Sequence, residues 1–93
     1  MREATIVAAI QKTLRSRGAW VLKTHGESMQ LRGIPDLIVC YRGLFFGLEV
    51  KVPGESATAI QQYALDEIAA AGGTAATVHS VSEALSVLDK AAV

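Results

Sequence analysis

The run DLIVCYRGLFFGLEVKV, residues 36–52, is the feature that most constrains the fold of this chain. Its two halves are apolar and rich in β-branched and aromatic residues, a composition typical of strands. Between them, Arg42-Gly43 is a dipeptide of the kind that closes a tight turn. The pattern predicts strands over 36–42 and 44–52, paired as an antiparallel hairpin within a sheet.

This hairpin would bring three ionisable side chains together. A tight turn fixes the pairing register, which here places Asp36 opposite Glu49. Side chains alternate between the faces of a strand, so Lys51 shares the face of Glu49. Two adjacent carboxylates repel unless a proton or a cation neutralises them, and a divalent ion such as Mg²⁺ suits such a pair. The spacing alone leaves a second interpretation equally open, namely a buried salt bridge between Lys51 and one of the acids.

The remaining segments predict a sheet flanked by helices. We expect helices over 3–16, over 57–71 and from Ser80 or Ser82 to about Lys90, with further strands over 19–25 and 74–80. The order α-β-β-β-α-β-α indicates one mixed α/β domain over residues 1–93 with a central sheet. The connection through the second helix should place the last strand parallel to the one before it. The second helix should bury a stripe formed by Ile60, Ala64, Leu65 and Ile68.

Two further polar residues could reach the same site. On a helical wheel, Glu3 lies close to the direction of Ile10, so it belongs to the inward stripe of the first helix. A first-turn acid that is favoured by the helix dipole is the simpler explanation of Glu3. Gln61, near the start of the second helix, could direct its amide toward the carboxylates, or could be an exposed polar residue like Gln62. Both residues are therefore candidates rather than assignments.

The net charge of zero conceals an uneven distribution. Residues 1–51 hold eight of the nine Lys and Arg residues against four acids, whereas residues 52–93 hold one against five. Such polarity can orient a protein toward a polyanion, although solvated surface charge is the simpler reading of charge alone. The single cysteine, Cys40, lies in an apolar run, which predicts a buried thiol in a reducing compartment. No apolar stretch approaches the roughly 20 residues that span a bilayer, so we expect a cytoplasmic protein without membrane contact.

Four short motifs follow one another along the chain: GIPDLIV at 33–39, LEVK at 48–51, TAIQ at 58–61 and AAAGGTAATV at 69–78. This ordered set resembles the PD-(D/E)xK nuclease superfamily, and most closely its virus-type replication-repair nuclease (VRR-NUC) domains, relatives of the Holliday-junction resolvases. The resemblance extends over nearly the whole chain. It implies a restriction-endonuclease-like α-β-β-β-α-β core, in which helices flank a central mixed sheet.

The resemblance also implies roles for individual residues. Asp36 and Glu49 match the metal-binding acids, and Lys51 matches the catalytic lysine. The implied metal is Mg²⁺ or Mn²⁺. The remaining matches are the backbone carbonyl of Val50 as a further metal ligand, Glu3 as the helical acid, and Gln61, or by a shift of one position Gln62, as the motif glutamine.

The function that the resemblance implies is metal-dependent hydrolysis of DNA phosphodiester bonds. The substrate would be branched DNA, such as a Holliday junction, in phage or bacterial replication, recombination or repair. Candidates for contacts with DNA are Lys23, His25, Ser28 and Arg32, in and beside the loop before Asp36. Because cutting both strands takes two active centres, we expect a homodimer, and a helicase or replication partner is left open. The alternative is a non-catalytic nucleic-acid-binding module on the same fold.

Overall fold

The structure is a computed structural model, and it describes residues 2–25 and 32–93. Its elements follow the predicted order α-β-β-β-α-β-α. They are α1 (Glu3–Ser16), β1 (Trp20–Lys23), β2 (Leu37–Tyr41), β3 (Leu44–Val50), α2 (Ala59–Ala70), β4 (Thr74–Val78) and α3 (Val81–Ala91). None of the described helices is both long enough and apolar enough to cross a bilayer.

The hairpin of β2 and β3 has the predicted register. The two strands are antiparallel, with Leu37 paired to Leu48 and Tyr41 to Leu44. Between them Arg42 and Gly43 have φ angles of 53° and 78°. Two successive positive φ angles are characteristic of a type I′ turn, whose twist matches that of the flanking strands. The turn therefore fixes the pairing that the sequence predicts.

The four strands form one sheet in the order β1-β2-β3-β4. β1 runs antiparallel to β2. β3 and β4 are parallel, as predicted for strands that are joined through a helix. The expected class is confirmed: a mixed α/β fold whose central sheet has helices on both sides.

The helices cover the two faces of the sheet unequally. α1 and α3 lie together on one face and contact β1, β3 and β4. The main core lies there, and it includes Ile10 and Leu14 of α1, Phe46 and Leu48 of β3, and Leu88 of α3. On the other face α2 packs against β3 and β4. Among the described residues, no helix packs on the β1 and β2 half of that face.

This incomplete cover corrects two expectations. Cys40, expected to be a buried thiol, is exposed, because its side chain points to the half of the sheet that α2 leaves uncovered. Ile60, expected in the buried stripe of α2, leaves 51% of its surface exposed, whereas Leu65 is buried. Sequence periodicity gives the apolar direction of a helix, but not how far along a sheet the helix reaches.

The helix ends follow from local sequence. The Ser80 side chain accepts a hydrogen bond from the backbone N–H of Glu83 and so begins α3. α2 begins with a capping box between Thr58 and Gln61, in which each side chain bonds the other residue's backbone N–H. These caps fix the residues at which α2 and α3 begin.

Candidate functional site

Asp36 is joined to the end of β3 by a short hydrogen bond. Its Oδ2 accepts from the backbone N–H of Val50 at 2.7 Å. Asp36 directly precedes β2, and continuing the hairpin register by one pair places it opposite Glu49. The side chain is only 13% exposed. The prediction that Asp36 and Glu49 lie side by side is therefore met by the backbone pairing.

The segment before Asp36 needs a glycine for two reasons. Gly33 has a φ of 81°, a conformation that residues with a Cβ rarely adopt. A Cβ on Gly33 would also overlap the Cγ2 atom of Ile60 on α2. Glycine at this position thus lets the chain turn tightly against α2 immediately before the acid.

Three consecutive carbonyl groups before β2 are held by two residues that follow β1. His25 Nε2 lies 2.9 Å from the carbonyl oxygen of Ile34. Thr24 donates twice: its Oγ1 to the carbonyl of Pro35 at 2.6 Å and its backbone N–H to the carbonyl of Asp36 at 3.0 Å. Thr24 is a positioning residue that the sequence analysis missed, because no local pattern around it predicts these long-range bonds.

Glu49 is buried without enough hydrogen-bond donors. The residue is 1% exposed, and its Oε1 atom has no hydrogen-bond partner among residues 2–25 and 32–93. Its Oε2 lies 3.8 Å from Lys51 Nζ, near the limit of an ion pair. An ionised carboxylate that is buried in this way is costly unless a proton or a cation neutralises it.

The pKa of Glu49 reflects that environment. The pKa of Glu49 is raised to about 8. Burial is the largest cause, and repulsion by the nearby charge of Asp36 is the next. Lys51 opposes this effect, and Glu3 adds a smaller repulsion. In the absence of a ligand, Glu49 therefore carries a proton at neutral pH, although its usual pKa is close to 4.5.

A small cleft opens beside Asp36. It has a volume of about 180 Å³, and its polar lining comes from Glu3, Lys23, His25 and Asp36. His25 Nε2 is 3.7 Å from Asp36 Oδ1. The structure therefore gathers two of the four predicted DNA contacts, Lys23 and His25, beside a predicted acid.

The other predicted residues lie elsewhere. Arg32 is exposed and does not line the cleft, and Ser28 lies outside the described residues. The side-chain oxygen of Gln61 accepts from the backbone N–H of Thr58 at 2.9 Å, within the capping box. Its neighbour Gln62 donates to Asp66 on the exposed side of α2. The Thr-x-x-Gln pattern of a capping box was the signal for the structural role of Gln61.

The donor set fits a divalent cation that is held by two carboxylates. Across the described ranges, no three His, Cys, Asp or Glu side chains come together as a cluster that could hold a metal ion, so Glu3 does not complete a set of three acids. The Val50 N–H points to Asp36, and the carbonyl of a strand residue points to the same edge as its N–H. One or two carboxylates together with carbonyl and water oxygens are typical ligands of Mg²⁺.

Neither a protein-family model nor a curated protein matches the sequence. A solved structure titled "VRR_NUC domain" superposes with a TM-score of 0.75 at 21% identity, covering 94% of each chain. A second, titled "VRR_NUC domain protein", gives a TM-score of 0.73 at 18% identity and covers 96% of this chain and 86% of that one. At these identities the likeness establishes the fold.

Proposed function

We propose that this chain, whose fold is that of VRR_NUC domains, is a Mg²⁺- or Mn²⁺-dependent DNA endonuclease. The observation that carries the proposal is the convergence of Asp36, Glu49 and Lys51 at one end of the hairpin. Glu49 is buried beside a second carboxylate, and its Oε1 has no hydrogen-bond partner in the part of the chain that the structure describes, a combination that costs stability unless a proton or a cation neutralises the charge. Function explains this cost more simply than a structural salt bridge does, because the 3.8 Å contact with Lys51 involves Oε2 and not Oε1.

The ligands of the cation would be Asp36, Glu49 and the carbonyl of Val50. When bound, a divalent cation supplies positive charge that polarises a phosphate and promotes attack by water. Lys51 lies beside Glu49, so its ammonium group can orient an attacking water or stabilise the negative charge that develops on the phosphate. Glu3, on the wall of the adjacent cleft, would act through ordered water rather than as a direct ligand.

The DNA backbone would approach along the cleft. Lys23 and His25 line it, and Arg32 is exposed close by in sequence. Contacts of this kind neutralise phosphates and position a strand without reading its sequence. We infer a structure-selective enzyme that acts on branched DNA, such as a Holliday junction, in phage or bacterial replication, recombination or repair. Gln61 remains a candidate for positioning through its amide nitrogen, since the capping box uses its side-chain oxygen.

A substrate panel tests the proposal. The purified protein is incubated with four-way junction, flap, nicked, linear and single-stranded DNA, with Mg²⁺, with Mn²⁺ and with chelator. We expect cleavage with either metal, none with chelator, and the fastest cleavage on a branched substrate. Binding without cleavage of any substrate would instead indicate a non-catalytic nucleic-acid-binding module.

A matched pair of variants ties any cleavage to the site. Asp36→Asn keeps an oxygen that can accept from the Val50 N–H but removes the negative charge. We expect this variant to remain folded and to lose cleavage. Asp66→Asn makes the same change on the exposed side of α2, where Asp66 accepts from Gln62 at 2.9 Å, and should cleave like the unaltered protein. Equal activity of both variants would refute the assignment of Asp36.

A further inference from the structure

We propose that DNA leaving the cleft beside Asp36 runs along the outer edge of β1 and is held at the far end of that edge by Arg15 and Lys12. The surface involved, here called the β1 track, lies between β1 and the flank of α1 that faces it. The inference rests on the proposed function, because it follows the same DNA strand away from the metal site. It adds a second phosphate-binding site, made of residues that have no part in the first.

The outer edge of β1 presents backbone groups to the track. β1 is the first strand in the order of the sheet, so only one of its sides pairs with another strand. On that paired side, the backbone N–H of Thr24 donates to the carbonyl of Asp36. Because backbone groups of successive residues point to opposite sides of an antiparallel strand, those of Val21 and Lys23 point outward. Outward N–H groups of this kind can donate to phosphate oxygens.

One flank of α1 forms the other wall of the track. Near the start of α1, Ala4 lines the cleft together with Lys23. Near its end, Arg15 Nη2 donates to the outward carbonyl of Val21 at 3.0 Å. Ala8 lies one turn beyond Ala4 on the same flank, and both alanines are exposed. Their short side chains leave room for a DNA backbone between the cleft and Arg15.

The basic side chains of the track have no acidic partner within the described ranges. Arg15 and Lys12 are exposed and lie one turn apart on α1. Across residues 2–25 and 32–93, neither of them forms an ion pair with a carboxylate. Arg17, by contrast, is paired with Asp89 at 3.0 Å. Basic side chains that are not neutralised by the protein create the positive potential that attracts phosphates.

The bond to Val21 holds the guanidinium of Arg15 in place before DNA binds. A guanidinium has five N–H donors in a planar fork, and the bond to Val21 uses one of them. The others can bind a phosphate through two parallel hydrogen bonds. A side chain that is already held loses less conformational entropy on binding. The same bond shields the outward carbonyl of Val21, which would otherwise repel a phosphate.

The length of β1 sets how much DNA the track requires. Thr24 lies beside Asp36, and Val21 lies three residues back along the strand, which is roughly 10 Å at about 3.4 Å per residue. Phosphates of one strand of a duplex are about 3.4 Å apart along the helix axis. Arg15 therefore reaches a phosphate about three nucleotides from the one at the metal site. The substrate must extend at least that far on one side of the cleaved bond.

A purely structural role for Arg15 predicts a different outcome. A basic side chain laid over an edge strand keeps that edge from pairing with another chain. If this were its only role, removing it would lower stability or cause aggregation, and the dependence of DNA binding on salt would stay the same. The salt dependence of binding therefore separates the two roles.

Binding without cleavage provides the first test. Fluorescence anisotropy measures the affinity for a labelled four-way junction in chelator, from about 50 to 300 mM NaCl. Arg15→Gln and Lys12→Gln should each weaken binding about 5- to 10-fold at about 0.1 M salt, and each should lower the slope of log Kd against log salt by about 0.9. Arg42→Gln is the matched control. It removes the same charge from an exposed residue of the β2–β3 turn, away from the track, and should leave the slope unchanged.

Neutral phosphates provide the second test. In a series of junctions, a methylphosphonate replaces one phosphate at a time along the cleaved strand. We expect cleavage by the unaltered protein to be slowed about 5- to 10-fold by the replacement about three nucleotides from the cleaved bond. In Arg15→Gln this replacement should have no further effect, because the contact is already missing. Circular dichroism establishes that each variant is folded, and Lys12→Gln keeps the binding test informative if Arg15→Gln is not.

The outcomes separate this proposal from the nuclease proposal. Folded track variants with an unchanged salt slope would overturn the β1 track even if the protein cleaves DNA. Equal loss of slope in Arg42→Gln would also overturn it, since the effect would then reflect overall charge. Interference by the methylphosphonate that persists in Arg15→Gln would exclude Arg15 as the contact. Loss of slope in the track variants without cleavage of any DNA would support the track and refute the nuclease.

Discussion

Glu83 and Glu49 each lie beside a basic side chain, yet their pKa values are displaced in opposite directions. Glu83 Oε1 lies 2.9 Å from His79 Nδ1 and accepts from the His79 backbone N–H at 3.1 Å. The hydrogen bond from His79 lowers the pKa of Glu83 and raises that of His79. The side chain of Glu83 is 52% exposed, so its carboxylate loses little hydration. The charged form is the stable one.

Glu49 has the opposite balance. It is buried, its oxygens receive no comparable donors from the described residues, and the nearby Asp36 repels its negative charge. Burial outweighs the attraction of Lys51, so the neutral form is favoured to about pH 8. A nearby basic residue thus does not by itself make a salt bridge stabilising. The number of donors and the remaining hydration decide the sign.

Replacing glutamate by glutamine should change the stability of the protein in opposite directions at Glu49 and at Glu83. The substitution at Glu49 should also reduce cleavage more than any other change predicted below. Glu49→Gln removes a carboxylate ligand, and we expect cleavage to fall by about 10³-fold or more, since the charge stabilisation at stake is several kcal/mol. At pH 8.5 without metal, the free energy of unfolding should rise, because the buried charge is gone. Rate assays and thermal melts measure the two effects.

Glu83→Gln provides the control for that variant. It should leave cleavage unchanged and lower the free energy of unfolding by less than about 1 kcal/mol, because Glu83 is half exposed. If both substitutions destabilised the metal-free protein equally, the contrast between the two sites would be wrong. Repeating the melts at pH 5 sharpens the test, since Glu49 is protonated there and its substitution should lose the stabilising effect.

The sequence predicted the central geometry of the site because local rules govern it. Arg42 and Gly43 adopt the two positive φ angles of a type I′ turn, and that turn alone determines that Asp36 lies opposite Glu49. The inward face of α1 followed equally well from its spacing, since Ile10 and Leu14 are fully buried. Both results depend on contacts within one or two elements.

The features that the sequence did not predict depend on long-range packing. Cys40 and Ile60 are exposed because α2 packs on the β3 and β4 half of the sheet, which depends on how the whole crossover connection packs. Thr24 holds two carbonyl groups of the segment before β2, eleven or more residues away in the chain. Gln61 is the exception, because its capping box with Thr58 is local and its Thr-x-x-Gln pattern is visible in the sequence.

The free energy of unfolding of the metal-free protein should depend on pH, in the direction that the raised pKa of Glu49 sets. Its pKa is about 8 in the folded state against 4.5 as the usual value. Between these values the unfolded chain binds fewer protons than the folded one, so stability should fall as pH rises from about 5 to 8, by up to about 1.4 kcal/mol per unit. Thermal melts of the metal-free protein across that range measure the slope.

Mg²⁺ provides the matching test of that slope. A cation that binds only the folded state stabilises it, and more so at high pH, where Glu49 loses its proton more readily. Saturating Mg²⁺ should therefore flatten the decline, and Glu49→Gln should flatten it without metal. A slope that neither treatment changes would mean that another group causes the pH dependence.

The smallest expected effect concerns His79, whose two ring nitrogens both face acceptors. Nε2 lies 2.7 Å from the carbonyl oxygen of Glu55, in the segment between β3 and α2. Only the imidazolium form donates to both partners, in agreement with its raised pKa. This contribution is complete below the usual pKa of about 6.5 and is lost as pH rises through the raised value. His79→Ala should therefore cost about 1 kcal/mol at pH 6 and less at pH 9.

Arg17→Gln is the control for His79→Ala. It removes the 3.0 Å ion pair between Arg17 and Asp89, and the guanidinium of Arg17 stays charged across that pH range. If the cost of His79→Ala were equal at both pH values, His79 would act through packing and not through its charge.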